Sequence, residues 1–162
     1  MGSRGVEWGA RNADHINHMS FRGRFNHTLD NKGRVSIPAG FRMEIQTGGN
    51  KPFLTRAKDH PQLYPADAFR KVEQDLESKP SFEPNVQEFA RHFIGGSSEC
   101  PLDAQGRITI PAHDRDFADL AGKITLLGVL DKIEIWNQDR YEAAQQEILE
   151  SLNDIQKAVS EL

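Results

Sequence analysis

The stretch LDNKGRVSIPAGFR, residues 29–42, has a near copy, LDAQGRITIPAHDR, at residues 102–115. The copies share the pattern Leu-Asp-x-x-Gly-Arg-(Val/Ile)-(Ser/Thr)-Ile-Pro-Ala and lie 73 residues apart, counted from Asp30 to Asp103. A match of this length indicates a duplication rather than chance. The repeat, about 70 residues long, exceeds the periods of solenoid proteins and is typical of two copies of a small α+β unit.

The correspondence between the copies continues beyond the shared stretch. After a one-residue deletion, Leu54 aligns with Leu126 and Tyr64 aligns with Trp136, at an offset of 72. The first residues of the chain are polar and show no periodicity, so they are excluded from the fold. The sequence predicts five segments: a disordered N-terminal arm or cloning scar (1–19), a first repeat (20–78), a connecting segment with a helix (79–92), a second repeat (93–141) and a C-terminal helix (142–162).

Each copy is predicted to follow the order β-β-α-β-β. FNHTLD and SSECPLD are typical of strands, and GRVSIP and GRITIP are predicted to be their hairpin partners. In the connecting turns, Asp30 and Asp103 can accept hydrogen bonds from backbone N–H groups about two residues later. Gly33 and Gly106 permit the positive φ that closes such turns, so these four residues are assigned a structural role.

Helices are predicted after each hairpin and between the repeats. Pro38 and Pro111 begin short helices, because proline fits the first helical turn, and Gly48 and Gly122 are predicted to end them. Longer helices are predicted over 67–78 and 141–162, and a connecting helix runs from about Pro84 to Gly95. The last helix has an apolar stripe that favours packing in the core, with the alternative that it covers a neighbouring subunit: Ile148, Leu152, Ile155, Val159 and Leu162.

Composition indicates one compact unit or two small fused halves, since 27% of the 162 residues are charged and 37% are hydrophobic. The sequence contains no apolar run of about 18 residues and no hydrophobic signal-peptide centre, so neither a membrane span nor secretion is expected. The single cysteine, Cys100, cannot form an internal disulfide, which agrees with a reducing compartment. A cytoplasmic protein is therefore expected.

The net charge of −4 hides a gradient along the chain. The segment from Ser20 to Arg56 contains seven basic and two acidic residues, whereas the segment from Asp131 onward contains three basic and eight acidic residues. This asymmetry is typical of a protein with a basic contact face, although an ordinary solvated surface also produces it.

Three segments make the sequence closely resemble the MraZ family of bacterial transcriptional regulators: FRGRFNHTLDNKGRVSIPAGFR (21–42), GGSSECPLDAQGRITIPA (95–112) and LLGVLDKIEIW (126–136). The resemblance implies two pseudo-symmetric AbrB-like β-β-α-β-β halves that form a swapped-hairpin β-barrel core with flanking helices. It also implies a homo-oligomeric ring, association with the nucleoid, and repression at short direct repeats in double-stranded DNA. The genes implied are the division and cell wall cluster, including the protein's own promoter.

The same resemblance points to Arg34 and Arg107 as the main DNA-contacting residues, with Lys32 beside the first. Arginine suits this role because its planar guanidinium pairs bidentately with guanine or a phosphate, and a β-hairpin can enter a major groove. Arg22 and Arg24 are expected to add phosphate contacts from the preceding strand.

A structural alternative exists for both main arginines, since each can form an ion pair with Asp30 or Asp103 across its own turn. The two turns also differ in charge. The first contains Asn31 and Lys32, whereas the second has Ala104 and Gln105 at the matching positions, so the second turn is expected to contribute less to binding.

Asp114 occupies the position where the first repeat has Phe41 and where the family usually has an apolar side chain. Burial of an unpaired carboxylate is costly, so the second short helix is expected to be shifted, exposed or paired, with Arg115 as the candidate partner.

The sequence also bears on other classes of function. Cys100 with His92 and Asp103 resembles no catalytic signature, and the histidines show no ligand spacing, so no enzyme, metal, cofactor or small-molecule substrate is expected. A stronger alternative is an oligomeric interaction protein whose hairpin turns are subunit interfaces and bind no specific DNA. An antitoxin-like dimer is disfavoured, because such proteins usually have one copy of the unit per chain.

Overall fold

A computed structural model describes residues 20–49 and 51–162, and the predicted N-terminal arm over 1–19 lies outside these residues. The described chain has eight strands and five helices in the order predicted for both repeats. The elements are β1 (Phe21–Thr28), β2 (Arg34–Ser36), α1 (Ala39–Thr47), β3 (Phe53–Arg56), β4 (Pro61–Tyr64), α2 (Ala66–Glu77), α3 (Pro84–Phe93), β5 (Ser98–Glu99), β6 (Arg107–Thr109), α4 (Ala112–Ala118), β7 (Lys123–Leu130), β8 (Lys132–Asn137) and α5 (Gln138–Ser160).

Most strand pairs join one repeat to the other. A six-stranded antiparallel sheet has the order β1-β7-β8-β4-β3-β5, and β2 and β6 form a separate two-stranded ribbon, hereafter the ribbon. Only β3–β4 and β7–β8 pair within a repeat in the described part of the chain. The hairpins predicted within each copy are therefore wrong: the turn after β1 directs the chain out of the large sheet, so that β1 pairs with β7 and β2 pairs with β6.

The α+β class is confirmed, but the swapped-hairpin barrel is not. The large sheet is open, with β1 and β5 at its edges, and no ladder joins these edges within residues 20–49 and 51–162. β5 spans only two residues, which is too short to close a sheet against the eight-residue β1.

One hydrophobic core takes its residues from both repeats, as the crossed pairing requires. The ribbon contributes Val35 and Ile108, each 1% exposed, and they lie directly opposite one another. The other buried contributors include Ile37, Phe41, Ile45, Leu54, Leu63, Ile110, Leu120, Ile124, Leu126, Ile133 and Ile135. A smaller aromatic cluster forms where α2 and α3 cover β3 and β4, around Tyr64, Phe69 and Phe93.

The predicted end of the first short helix is confirmed, and the predicted end of the second is wrong. Pro38 and Pro111 directly precede α1 and α4, and Gly48 ends α1 as predicted. α4 ends earlier than Gly122, because Asp119 adopts a left-handed φ of 52° that helical geometry does not allow. Gly122 instead lies in the loop before β7, where its carbonyl accepts the Leu29 N–H at 2.8 Å.

Asp114 is buried in α4, and its partner is Arg56 rather than the predicted Arg115. The Arg56 Nε donates to Asp114 Oδ1 at 2.7 Å, and His113 Nε2 lies 3.3 Å from Asp114 Oδ2. The carboxylate is tolerated because it is paired across the repeats: Arg56 ends β3, which belongs to the first copy.

The last helix does not pack its stripe into the core of the chain. α5 has no buried residue, and five of its apolar side chains are exposed: Ile148, Leu149, Leu152, Ile155 and Val159. Leu162, just beyond its end, is exposed as well. Its first turn is attached to β1, where Arg24 lies 4.8 Å from the centre of the Tyr141 ring and forms an ion pair with Glu142. None of the helices in residues 20–49 and 51–162 combines the length and apolarity needed to cross a bilayer.

A buried polar network surrounds His60 at the pairing of β4 with β8. The imidazole stacks on Trp136 with ring centres 4.1 Å apart, and its nitrogens lie 2.9 Å from Asp59 Oδ1 and 3.5 Å from Glu134 Oε2. Burial lowers the pKa of His60, but the hydrogen bonds and charges of Glu134 and Asp59 outweigh burial and raise it above its ordinary value of 6.5. Burial raises the pKa of Glu134, but the hydrogen bonds from His60 and Trp136, with the charges of His60 and Lys132, hold it below its ordinary value.

These directions predict that protonated His60 stabilises the fold. Its contribution to the free energy of unfolding is complete below pH 6.5 and is lost as the pH rises through the higher pKa of the folded state. Urea unfolding at several pH values should show that His60→Gln costs most stability near pH 6 and less at pH 9. His27→Gln, which lies outside the network on β1, is the control, and an equal pH dependence of both variants would contradict the prediction.

Candidate nucleic-acid interface

The first turn, residues 30–33, is held by the carboxylate of Asp30. Asp30 Oδ1 accepts the backbone N–H groups of Lys32 and Arg34, both at 2.9 Å, and Gly33 closes the turn with a φ of +79°. The backbone N–H of Arg34 is the main cause that lowers the pKa of Asp30, against partial desolvation. The carboxylate is therefore ionised well into the acidic range.

The second turn, residues 103–106, repeats this geometry. Asp103 Oδ1 accepts the N–H groups of Gln105 and Arg107, again both at 2.9 Å, and Gly106 has a φ of +76°. The Arg107 N–H is likewise the main cause that lowers the pKa of Asp103. Two turns with the same hydrogen-bond pattern thus precede the two strands of the ribbon.

The ribbon brings Arg34 and Arg107 together. Arg34 lies opposite Thr109, and Arg107 lies opposite Ser36, so the arginines are diagonal neighbours across the ladder. The Cα atoms of such diagonal neighbours lie about 7–8 Å apart. Because successive side chains alternate between faces and Val35 is buried, both arginines lie on the solvent-facing side. The sequence had placed them on two separate hairpins.

Both arginines form the ion pair anticipated as their structural alternative. Arg34 Nε donates to Asp30 Oδ2 at 2.7 Å, and Arg107 Nε donates to Asp103 Oδ2 at 2.9 Å. Arg107 Nη2 also donates to Gln105 at 3.2 Å. The terminal nitrogens of Arg34 make no hydrogen bond to any residue that the structure describes, so this edge of its guanidinium faces outward with its orientation already set.

The other three residues predicted to contact DNA do not all lie beside the ribbon. Lys32 is exposed in the first turn. Arg22 and Arg24 are exposed on β1, which belongs to the large sheet rather than to the ribbon. Arg22 Nη2 donates to Ser20, and Arg24 is bound to Glu142 at 3.0 Å. The structure thus groups Lys32 with the two ribbon arginines and leaves Arg22 and Arg24 on a different sheet.

Two further arginines contact the turns, and the sequence did not single them out as site residues. Arg115 from α4 lies against Gly33, and Arg42 from α1 lies against Gly106. The available signal was their repetition, since each is the last residue of the duplicated stretch. Both come from the repeat opposite to the turn that they contact, which no local pattern reveals.

The fold and the ribbon define a duplicated α+β protein that displays paired arginines on a two-stranded ribbon. A family model described as "MraZ protein, putative antitoxin-like" matches residues 20–92 and 93–160, one copy after the other. The chain belongs to the MraZ family.

Curated relatives named "Transcriptional regulator MraZ" cover most of the chain. The protein of Halothermothrix orenii is 37% identical over 88% of this chain and 98% of its own length. That of Natranaerobius thermophilus is 36% identical over 86% and 96%, and that of Moorella thermoacetica is 39% identical over 75% and 84%. Among solved structures, a Pyrococcus horikoshii protein, PHS018, aligns with 74% of this chain and all of its own at 17% identity and a TM-score of 0.33, below the level of a shared fold.

The turn geometry predicts opposite effects for two glycine-to-alanine changes. Gly33→Ala should destabilise the protein by roughly 1–2 kcal/mol because of its left-handed backbone, and the new Cβ would lie 2.8 Å from Arg115 Nε. Gly40→Ala lies in α1, and no atom of the described residues, 20–49 and 51–162, lies within 4 Å of its Cβ position, so the change should be neutral or stabilising by up to about 1 kcal/mol. Urea unfolding measures both, and equal changes would contradict the assignment.

Proposed function

We propose that the protein is a sequence-specific DNA-binding transcriptional regulator that contacts the major groove with the ribbon. The observation that carries this proposal is the position of Arg34 and Arg107 as diagonal neighbours on the solvent-facing side of β2 and β6. A major groove about 12 Å wide admits a two-stranded β-ribbon, so no recognition helix is required. The names of the curated relatives support the same function.

Arg34 is proposed as the principal contact. Its Nε is held by Asp30, while the Nη1 and Nη2 edge remains available for two parallel hydrogen bonds to a guanine or a phosphate. An exposed ion pair of this kind contributes little to stability, so its main effect is on orientation. Asp30 and Gly33 fix the turn that presents the arginine.

Arg107 is proposed as a weaker contact of the same type. Gln105 holds one of its terminal nitrogens, so a bidentate contact requires this hydrogen bond to be exchanged. The second turn also lacks a counterpart of Lys32, which adds a positive charge to the first. The two ends of the ribbon are therefore unequal.

Arg22 and Arg24 are proposed as auxiliary phosphate contacts from β1. Arg24 contributes the smaller share, because its ion pair with Glu142 and its position over Tyr141 must be given up or shared. Arg22 is held only by Ser20 among the residues that the structure describes.

The proposed regulator acts as a homo-oligomeric ring that represses the division and cell wall genes, including its own promoter, from short direct repeats. It would work in the cytoplasm in association with the nucleoid. The exposed stripe of α5 supports assembly, because its apolar side chains stay exposed among the residues that the structure describes. Several ribbons in one ring bind cooperatively when the repeats have a matching spacing, since each further contact is intramolecular.

Fluorescence anisotropy tests the proposal directly. The probe is DNA from upstream of the protein's own gene, either intact or with its short direct repeats scrambled, at two salt concentrations. Tight binding to the intact fragment that weakens on scrambling and with added salt supports a sequence-specific regulator. Equal, weak binding to both fragments would favour the alternative, an oligomeric interaction protein whose turns are subunit interfaces.

Arg34→Ala should abolish specific binding, because the loss of one bidentate base contact costs about 1–3 kcal/mol at every ribbon of the assembly. Arg107→Ala should weaken binding by a smaller factor, since Gln105 already occupies part of that guanidinium. The same anisotropy titration measures both. Arg70→Ala is the matched control, because Arg70 pairs with Glu73 and Glu77 on α2, outside the ribbon.

Circular dichroism and size-exclusion chromatography distinguish a loss of binding caused by the missing contact from one caused by unfolding or dissociation. Both variants of the ribbon should keep their secondary structure and their assembled size. If Arg34→Ala were unfolded or dissociated, the arginine would have a structural role and the proposed base contact would be wrong.

Ile155→Asp should disrupt assembly, because it places a charge in the exposed apolar stripe of α5. Size-exclusion chromatography with light scattering should show a shift from an oligomer towards the monomer mass. Asn153→Asp adds the same charge outside the stripe and should leave the size unchanged. An unchanged size for Ile155→Asp would show that α5 does not hold the subunits together.

A further inference from the structure

We propose that Arg42 and Arg115 belong to the DNA-contacting surface as phosphate contacts, and that each completes the turn of the opposite repeat. This inference rests on the proposed DNA-binding function and extends it to two residues outside the turns. Each turn is then completed by both halves of the chain. The first half supplies the first turn and, with Arg42, the arginine beside the second turn. The second half supplies the second turn and, with Arg115, the arginine beside the first turn.

Arg115 is fixed beside the first turn by its backbone surroundings. Its Nε donates to the Ile110 carbonyl at 3.1 Å, and a Cβ at Gly33 would lie 2.8 Å from that Nε and 2.9 Å from Cζ. The guanidinium therefore lies over the Gly33 backbone. It forms no ion pair with any carboxylate in the described ranges, 20–49 and 51–162, and its terminal nitrogens remain available.

Arg42 lies in the equivalent position beside the second turn. A Cβ at Gly106 would lie 2.6 Å from Arg42 Cδ and 3.0 Å from its Cζ, so the side chain covers this glycine. Arg42 is half-buried, and its guanidinium has neither a hydrogen bond nor an ion pair to any residue that the structure describes. A guanidinium held by packing without an acidic partner is suited to bind an external anion such as a phosphate.

The ribbon explains why the arginines are exchanged between repeats. The Ile110 N–H donates to the Gly33 carbonyl at 2.8 Å, and the Ile37 N–H donates to the Gly106 carbonyl at 3.0 Å. Each turn thus lies beside the strand that leads into the helix of the other copy. Each end of the ribbon consequently has one turn arginine and one helix arginine.

The charges of the two ends support a phosphate contact. The first end of the ribbon lies beside the turn at residues 30–33. The cations counted there are Lys32, Arg34 and Arg115 and the carboxylate is that of Asp30, a formal balance of about +2. At the second end Arg107 and Arg42 face Asp103, a balance of about +1. Without the exchanged arginines the second end would be neutral, which is unfavourable for contact with a polyanion.

A purely structural role, in which the arginines only cover the turn glycines, makes a different prediction. The slope of log K against log salt reports the number of phosphates neutralised, and each lost contact reduces it by about 0.9 for duplex DNA. A cover over a glycine would change the unfolding midpoint but not this slope. Salt dependence therefore separates the two roles.

The experiment titrates upstream duplex DNA with Arg42→Ala, Arg115→Ala, Arg42→Lys and the Arg70→Ala control at four salt concentrations, using the assembled full-length protein. Each ribbon-end alanine variant should bind roughly 3–10-fold more weakly at low salt, with a slope smaller by about 0.9 for each chain that engages the DNA. Arg42→Lys should restore the slope, because the charge is retained. Arg70→Ala should match the unmodified protein.

Three results would overturn the inference. Unchanged affinity and slope for both alanine variants, alongside loss of binding in Arg34→Ala, would reject these two contacts while the proposed function stands. Weaker binding with an unchanged slope and a lowered thermal midpoint would make the arginines structural covers. If the unmodified protein showed no preference for its upstream DNA, the proposed function would fail, and this inference would fail with it.

Discussion

The antiparallel pairing of β2 with β6 determines how the two repeats lie against each other. The ladder covers only three residues per strand, and a two-stranded ribbon of this length is not stable alone. It is held because Val35 and Ile108 are buried against each other, and burial of one such side chain contributes about 1.5–3 kcal/mol. This pairing fixes one repeat against the other, so β1 meets β7, β3 meets β5, and both turns border one surface.

In each turn the arginine forms the ion pair that the sequence offered as the structural alternative, and this pair leaves the proposed contact role open. The carboxylates of Asp30 and Asp103 accept backbone N–H groups with one oxygen and an arginine Nε with the other. Because the ion pair occupies only the Nε side, it restricts the rotamers of the guanidinium without covering its outer edge. Less side-chain entropy is then lost when an external ligand binds.

Local features could be predicted from the sequence, whereas partners distant along the chain could not. The order of the elements follows from periodicity and from the repeated turn, which are local. The strand partners were wrong because alternation identifies a strand and not its neighbour. Similarly, Asp114 was expected to need a partner, but Arg56 lies 58 positions earlier. Arg34 and Arg107 were assigned to DNA contact through the resemblance to the family, and that role stays a prediction, while Arg42 and Arg115 contact turns of the opposite repeat.

The buried pair of Arg56 and Asp114 has a consequence for the history of the duplication. At the aligned offset of 72, the second repeat has Gly128 where the first has Arg56, and at the earlier offset of 73 the first has Phe41 where the second has Asp114. Two second repeats paired with each other would bury Asp114 without a cation, a loss of about 3–5 kcal/mol for each broken pair. The second repeat has thus become dependent on Arg56 of the first, and a symmetric dimer of second repeats could not be recovered by simply cutting the chain in two.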